Sequence, residues 1–405
     1  KKSNKSRFNR LKKLGKLEFR AITNSAELQR VMDDFIACYD FRQGAIYRVL
    51  PFREDDQKKK FHIDLFANSA SSEICVTATF LDEQPIAAFW GSITGKTVHL
   101  GMLIHSPLYA EHSPGKLHIM QLSQYLLEQG KSVLDLTPGG DAWKERFANA
   151  HDEVADAVVY RSARKKLIAD SREALLTQGK QIAARIGITP AGLRATANKF
   201  RQMRPTAAAR TLRGWLASTE EFRVYRGDGT RAKSCSMDAR LKRNSLNDLM
   251  SFEPDGTKTR DAFLSEALMR LERGESVYTI CIDNRLAQCS WMTEGGAEIS
   301  LPQVQQTLRC PPGSVALYDL YLHPQFRNQR LSEAVLGHML YVVFSNTNVQ
   351  YVYVPVPVTD TSRQLLESFE FEYLGSFNWK RRVGVVHKSV TSQMLAQLES
   401  NTVSA

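Results

Sequence analysis

The chain has 405 residues, a net charge of +11, 43% hydrophobic residues and 24% charged residues. That length exceeds one ordinary hydrophobic core and predicts about two or three domains. The composition excludes a mainly disordered, collagen-like or coiled-coil chain, and no apolar run approaches the ~18 residues that span a bilayer.

The elements follow in chain order. Residues 3–14 read as a basic helix with Phe8, Leu11 and Leu14 at helical spacing, closed by Gly15, and 17–22 as a short strand. A helix over 26–48 places Leu28, Val31, Met32, Phe35 and Ile36 on one face. Three strands at 73–81, 85–92 and 96–104 are punctuated by Asp82-Glu83 and Thr94-Gly95. Ser113-Pro114-Gly115 opens an amphipathic helix that ends at Gly130, and 132–136 is a further strand. Residues 158–215 are helical in pattern, broken by Pro190 and Pro205. The order then returns: a strand at 222–225, a helix at 260–273, and strands at 276–282 and 286–292 joined through Asp283-Asn284. A long strand at 314–322, a helix from Leu331, a strand at 349–355, a helix at 361–369 and two closing strands at 371–379 and 383–387 complete the chain. The fold expected is α/β (α+β). It consists of tandem lobes, each a mixed, mostly antiparallel sheet flanked by helices, at 1–157 and 216–390, with a helical connector at 158–215 and a tail at 391–405.

The charge is uneven. Residues 158–215 carry thirteen Lys/Arg against Asp170 and Glu173, and the first twenty carry nine against Glu18. A basic connector between acidic lobes is read either as a solvated linker or as a grip for an anionic partner, a membrane surface or RNA. Stacking aromatics are sparse there, which counts against RNA. The six cysteines have no paired spacing, so neither a zinc site nor a disulfide framework is expected. A start at Lys1-Lys2 is expected of a fragment or a processed product. The whole is read as cytoplasmic, or peripheral to an inner membrane.

The most informative stretch is Val315 to Val335, V-A-L-Y-D-L-Y-L-H-P-Q-F-R-N-Q-R-L-S-E-A-V. A buried strand ends at Pro324, an Arg-rich turn follows, and a helix starts at once. Unpaired N–H groups and the dipole at a helix start favour an anion such as a pyrophosphate, and Arg327 and Arg330 add charge-assisted contacts. Asp319 and Tyr321, two apart, are expected on one face of the strand.

Through Pro324, Phe326, Arg327, Leu331 and Ser332 this stretch resembles the GNAT superfamily of acyl-CoA transferases. Asn328 and Arg330 stand where that family has glycines, and Leu366 where it often has a Tyr. The resemblance implies an acyl-CoA site, for acetyl-CoA or another acyl-CoA, at Leu320, Leu322, Arg327, Asn328, Gln329, Arg330, Leu331 and Ser332. It implies Asp319 as general base, with Tyr321, or else Tyr353, as acid. The other reading of Asp319, a strand carboxylate paired with an Arg, stays open; His323 reads as structural.

Residues 1–150 are similar to the GNAT-like domain of bacterial cellulose and exopolysaccharide biosynthesis acetyltransferases. The run Asp135-Leu136-Thr137-Pro138-Gly139-Gly140-Asp141-Ala142-Trp143-Lys144-Glu145-Arg146-Phe147 carries that likeness, along with the basic opening, Ser113-Pro114-Gly115 and the hairpin at 82–89. The similarity extends to Fem-type transferases, which pair two such lobes. It implies that the first lobe, which has no Arg-x-x-Gly run, does not bind acyl-CoA, and it makes Trp143 and Lys144 substrate-cleft candidates. The resemblance leaves three functions open: N-acyl transfer from acyl-CoA to a small-molecule or glycan amine, with cell-surface polysaccharide synthesis as its setting; aminoacyl transfer from tRNA; or a non-catalytic binding protein. No metal is expected.

Overall fold

In the computed structural model, residues 2–69, 73–139, 141–155, 157–163, 217–228, 239–254, 258–294, 298–301, 303–327, 331–345, 348–358, 362–382 and 385–391 are described. The chain forms two compact units. One comprises Lys1–Gly139, Glu220–Asn378 and Lys388–Ala405, and the other Gly140–Thr219 and Trp379–His387. The expected connector helices at 158–215 lie almost wholly outside the described residues.

The first unit holds two sheets. The N-terminal lobe runs α1 (Lys2–Leu14), β1 (Leu17–Ala21), α2 (Ser25–Tyr47), α3 (Asp56–Asn68), β2 (Ile74–Leu81), β3 (Gln84–Thr94), β4 (Thr97–His105), α4 (Pro114–Glu128) and β5 (Val133–Asp135). The strands pair in sequence order, antiparallel as far as β4, and β5 joins β4 in parallel. A parallel partner needs a crossover, and α4 supplies it. Seven of the eight residues of β2 are buried, because helices cover both faces. On one face Leu122 and Leu126 of α4 meet Cys75, Phe89 and Val98; on the other, Met32 and Phe35 of α2 approach Trp90, Met102 and Ile104. Asn24 caps α2 by accepting the Glu27 N–H at 2.8 Å.

His118 of α4 is fully buried. It lies 3.0 Å from Thr77 Oγ1 and 2.8 Å from Thr79 Oγ1. Thr79 donates its hydroxyl proton to Gln121 Oε1, so it accepts from Nδ1–H, and His118 Nε2 accepts from Thr77. Burial pulls this histidine down to about 3.

The C-terminal lobe runs β6 (Ala217–Gly227), β7 (Lys242–Arg243), α6 (Leu246–Met250), α7 (Arg260–Glu272), β8 (Ser276–Ile282), β9 (Arg285–Glu294), β10 (Glu298–Leu301), β11 (Gln306–Arg309), β12 (Ser314–Leu322), α8 (Leu331–Phe344), β13 (Tyr351–Pro357), α9 (Ser362–Ser368), β14 (Glu372–Arg382) and β15 (Val385–Val390). Its sheet has the order β15-β14-β6-β13-β12-β9-β8-β7, and β10 and β11 form a separate hairpin. The core lies beneath α8, where Leu331, Val335, Met339 and Leu340 pack on Leu317, Val352 and Val354. The expected helix–meander–helix–strand order thus occurs twice. Sequence reading did not find α3, α6, β7 or the β10–β11 hairpin, and it saw only the centre of β6.

Within this unit α7 packs along α2. Arg42 pairs with Glu272 at 2.8 Å and Arg48 with Asp261 at 2.9 Å. Ser265 donates to the Ala45 carbonyl, and Arg53 Nη2 donates to Ser251 Oγ at 2.7 Å. A Cβ on Gly44 would come 2.9 Å from Leu264 Cδ1, so the glycine permits the close approach.

Candidate functional site

The site is built on the parting of β12 and β13. Their parallel ladder runs only from Ser314–Tyr351 to Ala316–Tyr353. Beyond it β13 stays paired with β6 as far as Pro357, while β12 stays with β9. Pro355 and Pro357 withhold two N–H donors from one edge of β13. The ladder to β6 runs through both, and the ladder to β12 stops short of them.

At the parting β12 is interrupted. Tyr318 faces Trp291 and Tyr321 faces Cys289, so β12 carries one residue more than β9 between them. Asp319 in that bulge has φ 50°, a left-handed conformation uncommon for a residue with a side chain. The strand is buried up to Tyr318 and emerges at Asp319.

Asp319 and Tyr321 both reach the α6–α7 side, but to different partners. Asp319 Oδ2 accepts from Arg270 Nη1 at 2.7 Å, and Lys258 Nζ stands 3.9 Å away. Arg270 also pairs with Glu266, and its guanidinium lies 4.9 Å from the Trp291 ring centroid and 5.0 Å from that of Tyr318. Tyr318 Oη donates to Glu275, whose carboxyl is pushed above its usual range by burial against the pull of Arg270 and Arg273. Burial alone would lower the Lys258 ammonium, yet Asp319 and Glu266 outweigh it and hold it above its usual value. The Tyr321 ring sits 5.4 Å from Phe252 and 6.4 Å from Phe263. Tyr353 is fully buried. Arg270, Lys258 and Glu266 lie about fifty to sixty positions upstream of Asp319 in the chain, and no motif in the sequence marks them.

The junction from β12 to α8 follows. His323 is buried, and its Nδ1 accepts the Gln325 N–H at 3.3 Å, capping a 3-10 turn at Pro324–Phe326. Its role there is structural. Arg327, at the end of the turn, is exposed and has no ion-pair partner among the described residues. Asn328, Gln329 and Arg330 lie outside them. The Leu320 and Leu322 side chains pack against the core under α8, which Leu331 opens at 1% exposure. Ser332 is already engaged, donating to the buried Gln288 Oε1 at 3.1 Å. Trp143 and Lys144 belong to the second unit, on the short helix α5 (Ala142–Glu145), with the Lys144 ammonium 5.9 Å from the Trp143 ring.

The first lobe repeats the plan with a different outcome. Trp90 and Gly91 face Met102 and Leu100, so β4 carries an extra residue at Gly101. The parallel ladder of β4 to β5 ends at His99–Asp135, whose side chains pair at 2.9 Å. Here the strand-to-helix junction is closed. Its 3-10 turn, Pro107–His112, packs against α7 and α1, and Ser106, Pro107, Pro114 and Gly115 are buried. A Cβ on Gly115 would stand 3.2 Å from the His105 ring, and burial brings His105 down to about 4. The five described cysteines are free thiols; burial pushes Cys38 up to about 12 and Cys75 to about 11. Among the described residues no group of His, Cys, Asp and Glu is placed to hold a metal ion, and no helix is long and apolar enough to cross a membrane.

The family description "Acetyltransferase (GNAT) domain" matches residues 1–145. No curated protein sequence matches the chain. Among solved structures the chain is similar to a tandem GNAT protein from the clavulanic acid biosynthesis pathway, at 11% identity over 91% of this chain and 99% of that one, with a TM-score of 0.29. It is similar to a GCN5-related N-acetyltransferase from Sphaerobacter thermophilus at 10% identity over 92% and 95%, also with a TM-score of 0.29. An N-acetyltransferase from Thermoplasma acidophilum, in complex with coenzyme A, aligns with 33% of this chain and 86% of its own at 15% identity, with a TM-score of 0.27. Likenesses of that size assign neither substrate nor site. The family match covers the lobe whose sheet order, crossover helix and interrupted β4 are described above: residues 1–145 are similar to a GNAT acetyltransferase domain.

Proposed function

We propose that the chain transfers an acyl group from acyl-CoA to an amine, and that the acyl-CoA lies in the second lobe. The observation that carries this reading is the parting of β12 and β13 beside a junction whose Arg327 is exposed and without an ion-pair partner among the described residues. The residues present fit the group: a gap between two strands for an extended chain, and a free guanidinium for a pyrophosphate. In the first lobe the parallel strands also part, but the junction beside them is buried under α7 and carries no arginine. Bound acyl-CoA would supply an activated acyl group and leave as a thiol.

The chain's own part is to hold, orient and move protons. Arg327 pairs with the pyrophosphate, and Arg330 is assigned the same task. Asp319, kept in place by Arg270 through one carboxylate oxygen, draws the acceptor ammonium to the bulge and takes its proton with the other. Tyr321 is assigned the delivery of a proton to the departing thiolate, which leaves as the thiol. The acceptor is an amine-bearing small molecule; an amino sugar of surface polysaccharide synthesis is its narrower form, supported by the motifs of residues 1–150.

The test is thiol release from acetyl-CoA by the full chain across a panel of amines. Release that depends on an amine, and falls by about two orders of magnitude in Asp319→Asn at unchanged melting temperature, supports the reading. No release with any amine, together with no CoA binding, overturns it.

A further inference from the structure

The first lobe contains a cleft that the acyl-transfer reading does not use. It has a volume of about 330 Å3 and is lined by Tyr39, Lys58, His62, Leu65, Trp90, Met102 and the two glycines at the β4 bulge, Gly91 and Gly101. Specific small-molecule pockets occupy roughly 300–1,000 Å3, so the space suits a small molecule. Its roof is α3, a helix of 13 residues of which none is buried. A helix with no fully buried residue has little tertiary packing to hold it, yet α3 turns aromatic rings inward: His62 stands 5.3 Å from Trp90 and 5.2 Å from Phe52, and Phe66 6.0 Å from Trp90. The interior face of the helix is thus partly made, with an unfilled space beneath it.

The charge in the cleft has one sign. Lys59 pairs with Asp33 at 2.6 Å, whereas Lys58 has no ion-pair partner among the described residues and stands 5.5 Å from the Phe52 ring. The nearby Asp40 is fully buried and spends its carboxylate on the amides of Phe52 and Arg53. His62 Nδ1 lies 2.8 Å from the Lys58 carbonyl, an acceptor only. Nδ1 therefore carries the proton, and Nε2 remains for another partner.

We propose that this cleft binds a small organic anion with a flat apolar body, and that α3 is its cover. The apolar part lies against Trp90 and Tyr39, and the anionic group meets the Lys58 ammonium. The absence of a Cβ at Gly101, where one would stand 3.7 Å from Trp90 Cδ1, lets the ligand approach the backbone of the bulge. This assignment does not depend on acyl transfer in the second lobe.

The probe is 8-anilinonaphthalene-1-sulfonate, an aromatic anion, titrated by fluorescence into the full chain, with uncharged N-phenyl-1-naphthylamine as the control for charge. Saturable binding is expected, weakened about tenfold by Lys58→Gln and unchanged by Lys60→Gln, which removes the same charge from the same helix outside the cleft. The uncharged probe should not distinguish the two variants. Leu65→Trp, which fills the cleft without altering charge, should abolish binding at an unchanged melting temperature. Amide exchange in α3 of the wild-type chain should slow when the anion is bound. Equal weakening by both lysine variants, unsaturable binding, or unchanged exchange in α3 would each overturn the proposal.

Discussion

The two lobes share a strand order, a crossover helix and an extra residue in the strand that parts from its parallel neighbour, and they use that interruption differently. In the first lobe the bulge at Gly101 looks onto an open cleft, while the strand-to-helix junction behind it is sealed by α7. In the second the junction is exposed at Arg327, and the space beside the bulge is filled by Arg270, Asp319, Tyr318 and Trp291. On the proposed reading a transferase needs room for a donor and for an acceptor, and the side chains around each bulge decide what space stays open there.

The comparison breaks most visibly at Arg270. Its guanidinium is 13% exposed, neutralises two carboxylates and lies over two rings. Arg270→Met leaves Asp319 and Glu266 facing each other with Lys258 as their remaining cation, and is expected to cost about 3 kcal/mol of stability in urea unfolding. A loss below ~1 kcal/mol would mean that the cluster is no more than a surface network.

The next effect lies at the open junction. Arg327→Ala is expected to weaken CoA binding about thirtyfold, ~2 kcal/mol, with stability unchanged. Calorimetry on the two proteins checks it, and equal affinities would remove Arg327 from the donor site.

At the first bulge the close approach is steric. A Cβ on Gly91 would stand 2.3 Å from the His99 carbonyl oxygen, a backbone atom with little freedom to move. Gly91→Ala is expected to cost about 1.5 kcal/mol, read by thermal unfolding.

The last effect is the pH dependence of the first lobe. His118, at about 3, and His105, at about 4, are held neutral by burial, the latter also by Arg42. The unfolded chain protonates both near pH 6.5, so it binds more protons than the folded chain below that pH. Stability is therefore complete above about pH 6.5 and falls as the pH drops toward 4, by at most ~1.4 kcal/mol per pH unit for each histidine. His118→Gln is expected to take about 1 kcal/mol per unit out of that slope between pH 5.5 and 4.5. An unchanged slope would mean that another group governs acid stability.

Much of this architecture is legible in the sequence, because strands and helices buried on a face write their period into it. The meanders at 73–104 and 276–292, the crossover helices and the long strand all appear where the apolar pattern puts them. Helix α3 escapes because none of its residues is fully buried and its apolar positions, Phe61, Ile63, Leu65 and Phe66, fall on no single face. The bulge at Asp319 escapes for the opposite reason. Val315 to Leu322 is apolar at every position but Asp319, so the change of core-facing phase from Leu317 to Leu320 carries no mark, and the pairing with β9 reveals the extra residue. Expecting Asp319 to meet an Arg needs no structure, but choosing Arg270, 49 positions away, does. The cleft, drawn from α2, α3, β2, β3 and β4, has no local signature at all. Nor does the place of β6, which comes first in its lobe yet lies between β13 and β14.

The division of labour between the lobes is tested most directly by a crystal structure of the full chain soaked with CoA. The account predicts density for the pyrophosphate beside Arg327, with the pantetheine arm in the gap between β12 and β13. CoA seated at the junction of β4 and α4, with α7 displaced from it, would contradict it.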